Sequence, residues 1–339
     1  MAHSRNRRRW GIGATAITAA AALALTGCSA EAGGGGGDAA DGPSSVDIIV
    51  PADPGGGWDQ TGRTMQQVLT SEKIVNDAPV TNIGGAGGTV GLASLATEKN
   101  PYTLFVTGLV MVGAVETNES PTRIEDTTPI AKLTEEALVV VVPADSKYKT
   151  LEDLVEDVVK NKKDVTITGG SAGGADHILA GQLLAAAGVA PEDTNSTLNY
   201  IANSGGGEAV TMLLGNNVSA GISGVAEFSE HIESGSLRAL AVSSPERSEL
   251  LPDTPTITEA GYDVELTNWR GVLAPGDISD DERQALIDIV TEMYETDVWK
   301  DELKKKGWAD AFMAGDEFDD FIASDITSVT ETLTNIGLI

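Results

Sequence analysis

The sequence predicts an α/β protein with two lobes around a cleft. Three observations carry the prediction. Short β-rich runs alternate with helical patterns, Val46 to Ile339 is longer than one compact core usually serves, and strand-to-helix junctions repeat one glycine-rich design.

The first 45 residues read as targeting and tethering. Arg5, Arg7, Arg8 and Arg9 form a basic start, and Ile12 to Leu25 is an apolar run too short to span a bilayer comfortably. Leu25-Thr26-Gly27-Cys28 resembles the bacterial lipobox, in which the thiol is acylated and the chain is cleaved just before it. Residues 1–27 are then a lipoprotein-type signal peptide, with general secretion favoured over the twin-arginine route, and Cys28 is the lipidation site. Residues 28–45, with the Gly33 to Gly37 run, form a flexible leash reaching roughly 20–25 Å from the lipid. Cys28 is the only cysteine, so no intrachain disulfide can form.

Val46 to Pro51 reads as the first strand, followed by a helix with Thr61, Met65, Val68 and Leu69 on one face. Pro79 to Ile83, Leu104 to Thr107 and Leu138 to Pro143 are further strands. Thr150, with Asp153 three positions on, opens a helix whose inner face is Leu151, Leu154, Val155 and Val158. Val165 to Gly169, Thr197 to Ile201, Val218 to Ile222 and Leu237 to Val242 make a second set of strands, interrupted by a helix from Asp176 that carries Leu179, Leu183 and Ala186. Ser279 and Glu282 form a capping box before Leu286, Ile289, Val290 and Met293, and a last helix carries Phe318, Phe321, Ile322 and Val329. Crossings near 137 and 243 would give a discontinuous lobe I (46–136 plus 243–339) and a lobe II (137–242) hinged around the cleft.

Four loops share one design, in which a strand ends, small residues follow and a helix begins. They are Pro54 to Asp59, Gly84 to Thr89, Gly169 to Gly174 and Asn203 to Gly207. Glycine lets backbone N–H groups approach a ligand, and the helix N-terminus behind adds partial positive charge. Any one such turn is explained by tightness alone, but four in matched positions describe a cage of neutral donors suited to carboxylates. Neutral donors matter because the formal charge is −29, and losing the arginines before Cys28 makes the mature chain more negative still. Such acidity argues against nucleic acid and against electrostatic attachment to anionic lipid. No second apolar run of membrane-spanning length is present.

Catalytic signatures are weak. No Gly-Lys-Ser/Thr follows any loop, and none is a dinucleotide fingerprint in the right context. The chain has no His-Glu-x-x-His. Ser171, Asp176 and His177 could be drawn as a triad, but adjacent residues on a helix point apart, so Asp176 could not orient His177. The acids are dispersed and suggest no metal site, and no cofactor is expected.

At these loops the chain resembles a known family, the extracytoplasmic solute-binding receptors of tripartite tricarboxylate transporters, also called Bug-type receptors. Val50 to Arg63 is close to the form seen in the tricarboxylate branch, and Asn82 to Gly91 is similar to the family's Pro-Gly-Ala-Gly-Gly stretch with glycine where proline is common. Gly170 to His177, Tyr200 to Gly207 and Trp269 to Pro275 resemble its later loops and a late strand ending in Ala-Pro. The resemblance implies a two-lobed periplasmic-binding-protein fold of the Venus flytrap, type II-like kind, with an anion held between lobes by amides, hydroxyls and waters.

Carried over residue by residue, it implies that Gly56, Gly57, Trp58, Asp59, Gly87 and Gly88 line the lobe I side. Ser171, Gly173, His177, Ser204 and Gly205 would serve lobe II. Trp58 is expected either over the ligand's carbon skeleton or in hinge packing. Asp59 is expected to bind a water, a ligand hydroxyl or its own loop's amides. Arg63, Arg123 and Arg270 are candidate cationic contacts, with lobe bracing as the plainer alternative.

The resemblance thus implies a lipid-anchored receptor, not an enzyme, that captures a di- or tricarboxylate of about citrate's size. Its partner would be a membrane permease with one large and one small subunit. A ligand sensor for a signalling kinase and a lipid-anchored hydrolase are the alternatives.

Overall fold

The computed structural model describes residues 42–203 and 206–339, so Cys28, Ser204 and Gly205 lie outside the described residues. Among the described residues the strands are β1 (Asp47–Val50), β2 (Val80–Asn82), β3 (Thr103–Gly108), β4 (Thr128–Pro143), β5 (Thr166–Gly169), β6 (Asn199–Ala202), β7 (Ala220–Gly224), β8 (Leu237–Val242), β9 (Thr267–Ala274) and β10 (Ala309–Ala314). The α-helices are α1 (Gly57–Ser71), α2 (Thr89–Leu95), α3 (Leu109–Thr117), α4 (Leu151–Asn161), α5 (Ala175–Ala186) and α6 (Pro191–Thr197), then α7 (Gly206–Leu214), α8 (Val225–Glu233), α9 (Asp280–Glu295), α10 (Asp297–Lys306) and α11 (Asp316–Asn335).

Hydrogen-bonded neighbours run β2-β1-β3-β9-β4-β7-β5-β6, with β10 and β8 also paired to β4. β1 is parallel to β2 and β3, and β5 is parallel to β6 and β7, as βα units require. Every residue of β3, which runs parallel to β1 and antiparallel to β9, is buried, so the strand is covered on both faces. The expected capping boxes both form: Thr150 Oγ1 accepts from the Asp153 amide, and Ser279 Oγ from that of Glu282.

β4 organises the rest. From Thr128 to Ala137 it pairs antiparallel with β9, and from Leu138 to Val141 with β7. β10 lies along its first half and β8 along its second. The exchange of partners falls between Ala137, opposite Thr267, and Leu138, opposite Gly224.

The structure differs from the sequence reading at β6. Thr197 ends α6, and the strand begins at Asn199. Pro191 in the first turn with Glu192 and Asp193 behind it starts a helix there, because proline's missing N–H costs nothing at that position and acids suit the positive end. Among the described residues no helix is long and apolar enough to cross a membrane.

Candidate functional site

A cavity of about 360 Å³ opens where the C-terminal ends of β1, β5 and β7 meet the N-termini of α1, α5 and α8. That volume is in the range of small-molecule sites. Gly56, Gly57, Gly87, Gly88, Gly170 and Ser171 form much of its wall.

Two loops are shaped in the same way. In α1 the first-turn carboxylate of Asp59 accepts the Gly55 amide at 2.9 Å, and in α5 that of Asp176 accepts the Gly170 amide at 2.5 Å. Each acid folds its glycine loop back over its own helix start. Their surroundings then diverge. Burial works against the Asp59 charge, but Arg63 at 2.9 Å and Asn82 at 2.9 Å hold its pKa below the usual carboxylate value. Asp176 has no ion-pair partner among the described residues, and burial, with Glu227 and Glu136 nearby, pushes it up to about 7 against the pull of the Gly170 amide and the Arg270 charge.

Gly57 begins α1 against the Arg270 side chain, and a Cβ there would collide with the guanidinium. Gly88 has φ +93°, and a Cβ on it would meet Trp58 at 2.8 Å, so the Trp58 ring packs onto the backbone of the second loop. Trp58 is nearly buried and lines the cavity. Asn118 donates to the Ala86 carbonyl at 3.0 Å and steadies that loop from α3.

Another part of the cavity wall is polar, with Ser223, Glu227, Asn268 and Arg270, of which the sequence had offered only Arg270 as a candidate. Arg270 of β9 and Glu136 of β4 form an ion pair at 2.6 Å, both nearly fully buried. Glu136 also accepts the Ala226 amide at 2.9 Å, so its carboxylate sits on the positive end of α8. One turn along, Glu227 accepts the Ser223 hydroxyl at 2.5 Å, and the Gly57 amide reaches it from the start of α1. Burial first, then the Glu136 charge, raises the Glu227 pKa. Asn268 Oδ1 is buried there without a hydrogen-bond partner among the described residues.

Of the residues expected at the site, Gly56, Gly57, Trp58, Gly87, Gly88 and Ser171 line the cavity. Asp59 does not; its oxygens go to the Gly55 amide, Asn82 and Arg63. Gly173 and His177 also stand behind the wall. His177 Nδ1 accepts the Gly173 amide at 3.1 Å, its ring stacks on Tyr200 at 4.2 Å, and burial lowers its pKa to about 4, which keeps the ring neutral. Asp176 and His177 each hold a loop amide rather than each other. Arg63 pairs with Asp59 and Arg123 with Glu116, whereas Arg270 lines the cavity.

Sequence reasoning missed Ser223, Glu227 and Asn268 as lining residues. Ser223 and Glu227 stand, like the glycine loops, at a strand-to-helix junction, and Asn268 stands one residue before the Trp269 to Pro275 stretch. That position was the available signal.

Comparison with known proteins bears on the family and the fold. A protein of the TAR-I ttuE-ttuC' intergenic region of Agrobacterium vitis is 33% identical over 69% of this chain and 66% of its own length. This chain therefore spans just under two thirds of that relative. Two solved structures share the fold. MatC from Rhodopseudomonas palustris with bound malate has a TM-score of 0.75 at 20% identity, over 85% of this chain and 98% of that one. An R. palustris protein with adipate has a TM-score of 0.78 at 19% identity, over 87% and 98%. Residues 62–338 match the model for the tripartite tricarboxylate transporter family receptor, and the chain belongs to that family of solute-binding receptors.

Proposed function

We propose that this chain is an extracytoplasmic receptor, anchored by a lipidated Cys28, that captures a small carboxylate and presents it to a membrane permease of one large and one small subunit. Residues 46–136 plus 243–339 and residues 137–242 act as two lobes that close on the ligand.

The observation that carries the reading is the cavity wall. Gly56, Gly57, Gly170 and Ser171 bring main chain from the starts of two long helices to one space of about 360 Å³. Neither Gly56 nor Gly174 offers a side-chain cap, so apart from the Gly57 amide, which meets Glu227, and the Gly170 amide, which meets Asp176, those ends are disposed to receive an anion from outside the helix. The partner exchange of β4 at residue 137 supports the lobe boundary. Malate and adipate in the solved relatives support the ligand class.

Thermal unfolding of the protein with succinate, malate, adipate and citrate, beside sugars and an uncharged amide, tests the reading. At least one carboxylate is expected to raise Tm by several degrees. If none did while a non-acidic solute class did, the receptor would have a different ligand.

A further inference from the structure

The helix α3 carries Gly113 near its middle, where alanine would favour the helix. The reason lies outside the helix. A Cβ on Gly113 would stand 1.9 Å from the Gly173 carbonyl oxygen, so only glycine admits the third glycine loop this closely. The fit is mutual, since a Cβ on Gly173 would meet Thr117 Oγ1 at 2.1 Å and one on Gly174 would meet Val110 Cγ1 at 2.9 Å. The second glycine loop rests on the same helix, because a Cβ on Gly87 would lie 2.4 Å from that of Ala114 and 3.3 Å from that of Ser171. Val110, Gly113, Ala114 and Thr117 have the spacing of one helix face, and that face receives both loops.

The two loops are held differently. No hydrogen bond among the described residues crosses from α3 to residues 169–174. Thr117 Oγ1 donates to the Gly113 carbonyl within its own helix at 2.9 Å, and the Gly173 amide donates to His177 Nδ1 at 3.1 Å. Both groups are thus bonded on their own sides of the contact. The second loop, by contrast, is tied to the end of α3 through Asn118 and the Ala86 carbonyl at 3.0 Å. α3 and the second loop fall within 46–136 and the third loop within 137–242, so the bonded contact lies inside one proposed lobe and the unbonded one runs between the two.

Resting on the two-lobed carboxylate-receptor reading, we infer that Gly113 is a positioning residue for ligand retention: it lets α3 seat against Gly173 and Gly174 when the lobes close, along a seam that parts when they open. Gly113 is not among the residues that line the cavity, so it acts through this seal and not through contact with the ligand. A cost imposed on the closed form alone is subtracted from ligand affinity and leaves the open form untouched.

Thermal unfolding and X-ray scattering of the intact mature protein test the inference, with malate and adipate as probes. Unliganded Gly113→Ala is expected to melt at the same temperature as the unchanged protein or slightly higher, because the helix gains alanine and the parted lobes admit the methyl. The rise in Tm that saturating probe produces is expected to fall by about half or more, and the contraction on ligand binding to shrink with it. Gly174→Ala approaches the seam from the other lobe. Its φ of −77° suits alanine, and the added methyl meets Val110, so a smaller loss of the same kind is expected.

A fall of about 3 °C or more in the unliganded Gly113→Ala protein would mark permanent core packing and overturn the inference. An undiminished response to the probes in that variant would overturn it as well. Both results leave the carboxylate reading standing. If neither probe stabilises the unchanged protein, it is the carboxylate reading that loses its support, and the unliganded Tm of the two variants still decides whether the contact is a seam or core.

Discussion

Arg270 and Glu136 form an ion pair at 2.6 Å beside the place where β4 leaves β9 for β7, and each is almost completely buried. Burial of a lone charge is far costlier than burial of a pair, so truncating one partner is worse than replacing both. Arg270→Ala is expected to destabilise the protein by about 3–5 kcal/mol, read by urea denaturation. The double change Arg270→Met with Glu136→Gln should recover a substantial part of that loss. Equal losses in the single and double variants would show that the pair is not the relevant unit.

Gly57 meets the same guanidinium, and a Cβ there would come nearest its Nη2. Gly57→Ala adds one methyl that Arg270 must yield to, an overpacking cost of about 1–3 kcal/mol. Because Gly57 also lines the cavity, ligand affinity should fall together with Tm. Unchanged Tm with unchanged affinity would mean that the arginine moves aside freely.

Asp176 sets a pH dependence. Its folded-state pKa is raised from 3.8 to about 7, chiefly by burial. The folded protein therefore holds a proton that the unfolded chain has released, and stability falls as pH rises across that window. The loss is up to about 1.4 kcal/mol per pH unit and stops above the folded pKa. Asp176→Asn removes the ionisation, so its Tm relative to the unchanged protein should rise from pH 4 to pH 7 and then stay level. The opposite trend would show a carboxylate kept ionised by the Gly170 amide.

Much of this fold was legible where local chemistry and tertiary role agree. The all-buried β3 and the two capping boxes follow from β-branched runs and from Ser or Thr spaced three residues before an acid. The first half of β4 was not legible, because Lys132, Glu135 and Glu136 disguise it as surface. They tolerate the sheet only through partners that neutralise them, Glu135 for Lys132 and Arg270 for Glu136. The glycine loops announced the outer wall of the cavity. Ser223, Glu227 and Asn268 were silent, since isolated polar residues acquire a site only when topology brings their elements together.

Ser171 lines the cavity with no acid–base partner built around it, as Asp176 and His177 are committed to loop amides. Ser171→Ala is expected to weaken carboxylate binding by about 0.5–1.5 kcal/mol, roughly two- to twelvefold, by titration. Ester substrates should show no turnover in either form. Turnover that vanished in the variant would instead identify a hydrolase.

Cys28 lies outside the described residues, and its proposed lipidation predicts where the receptor works. Cys28→Ser is expected to move the protein from the membrane fraction to the medium or periplasm and to abolish labelling by a radioactive fatty acid. Ligand affinity should not change. Continued labelling would place the modification elsewhere.

A strand that joins both halves of the sheet also limits how the gene can be divided. Cutting within 128–143 would put the first part of β4 on one fragment and all four of its partners, β7, β8, β9 and β10, on the other. Split reporters and domain transplants would thus need to keep β4 whole, and fluorescent insertions belong in the connections that β4 does not pair with.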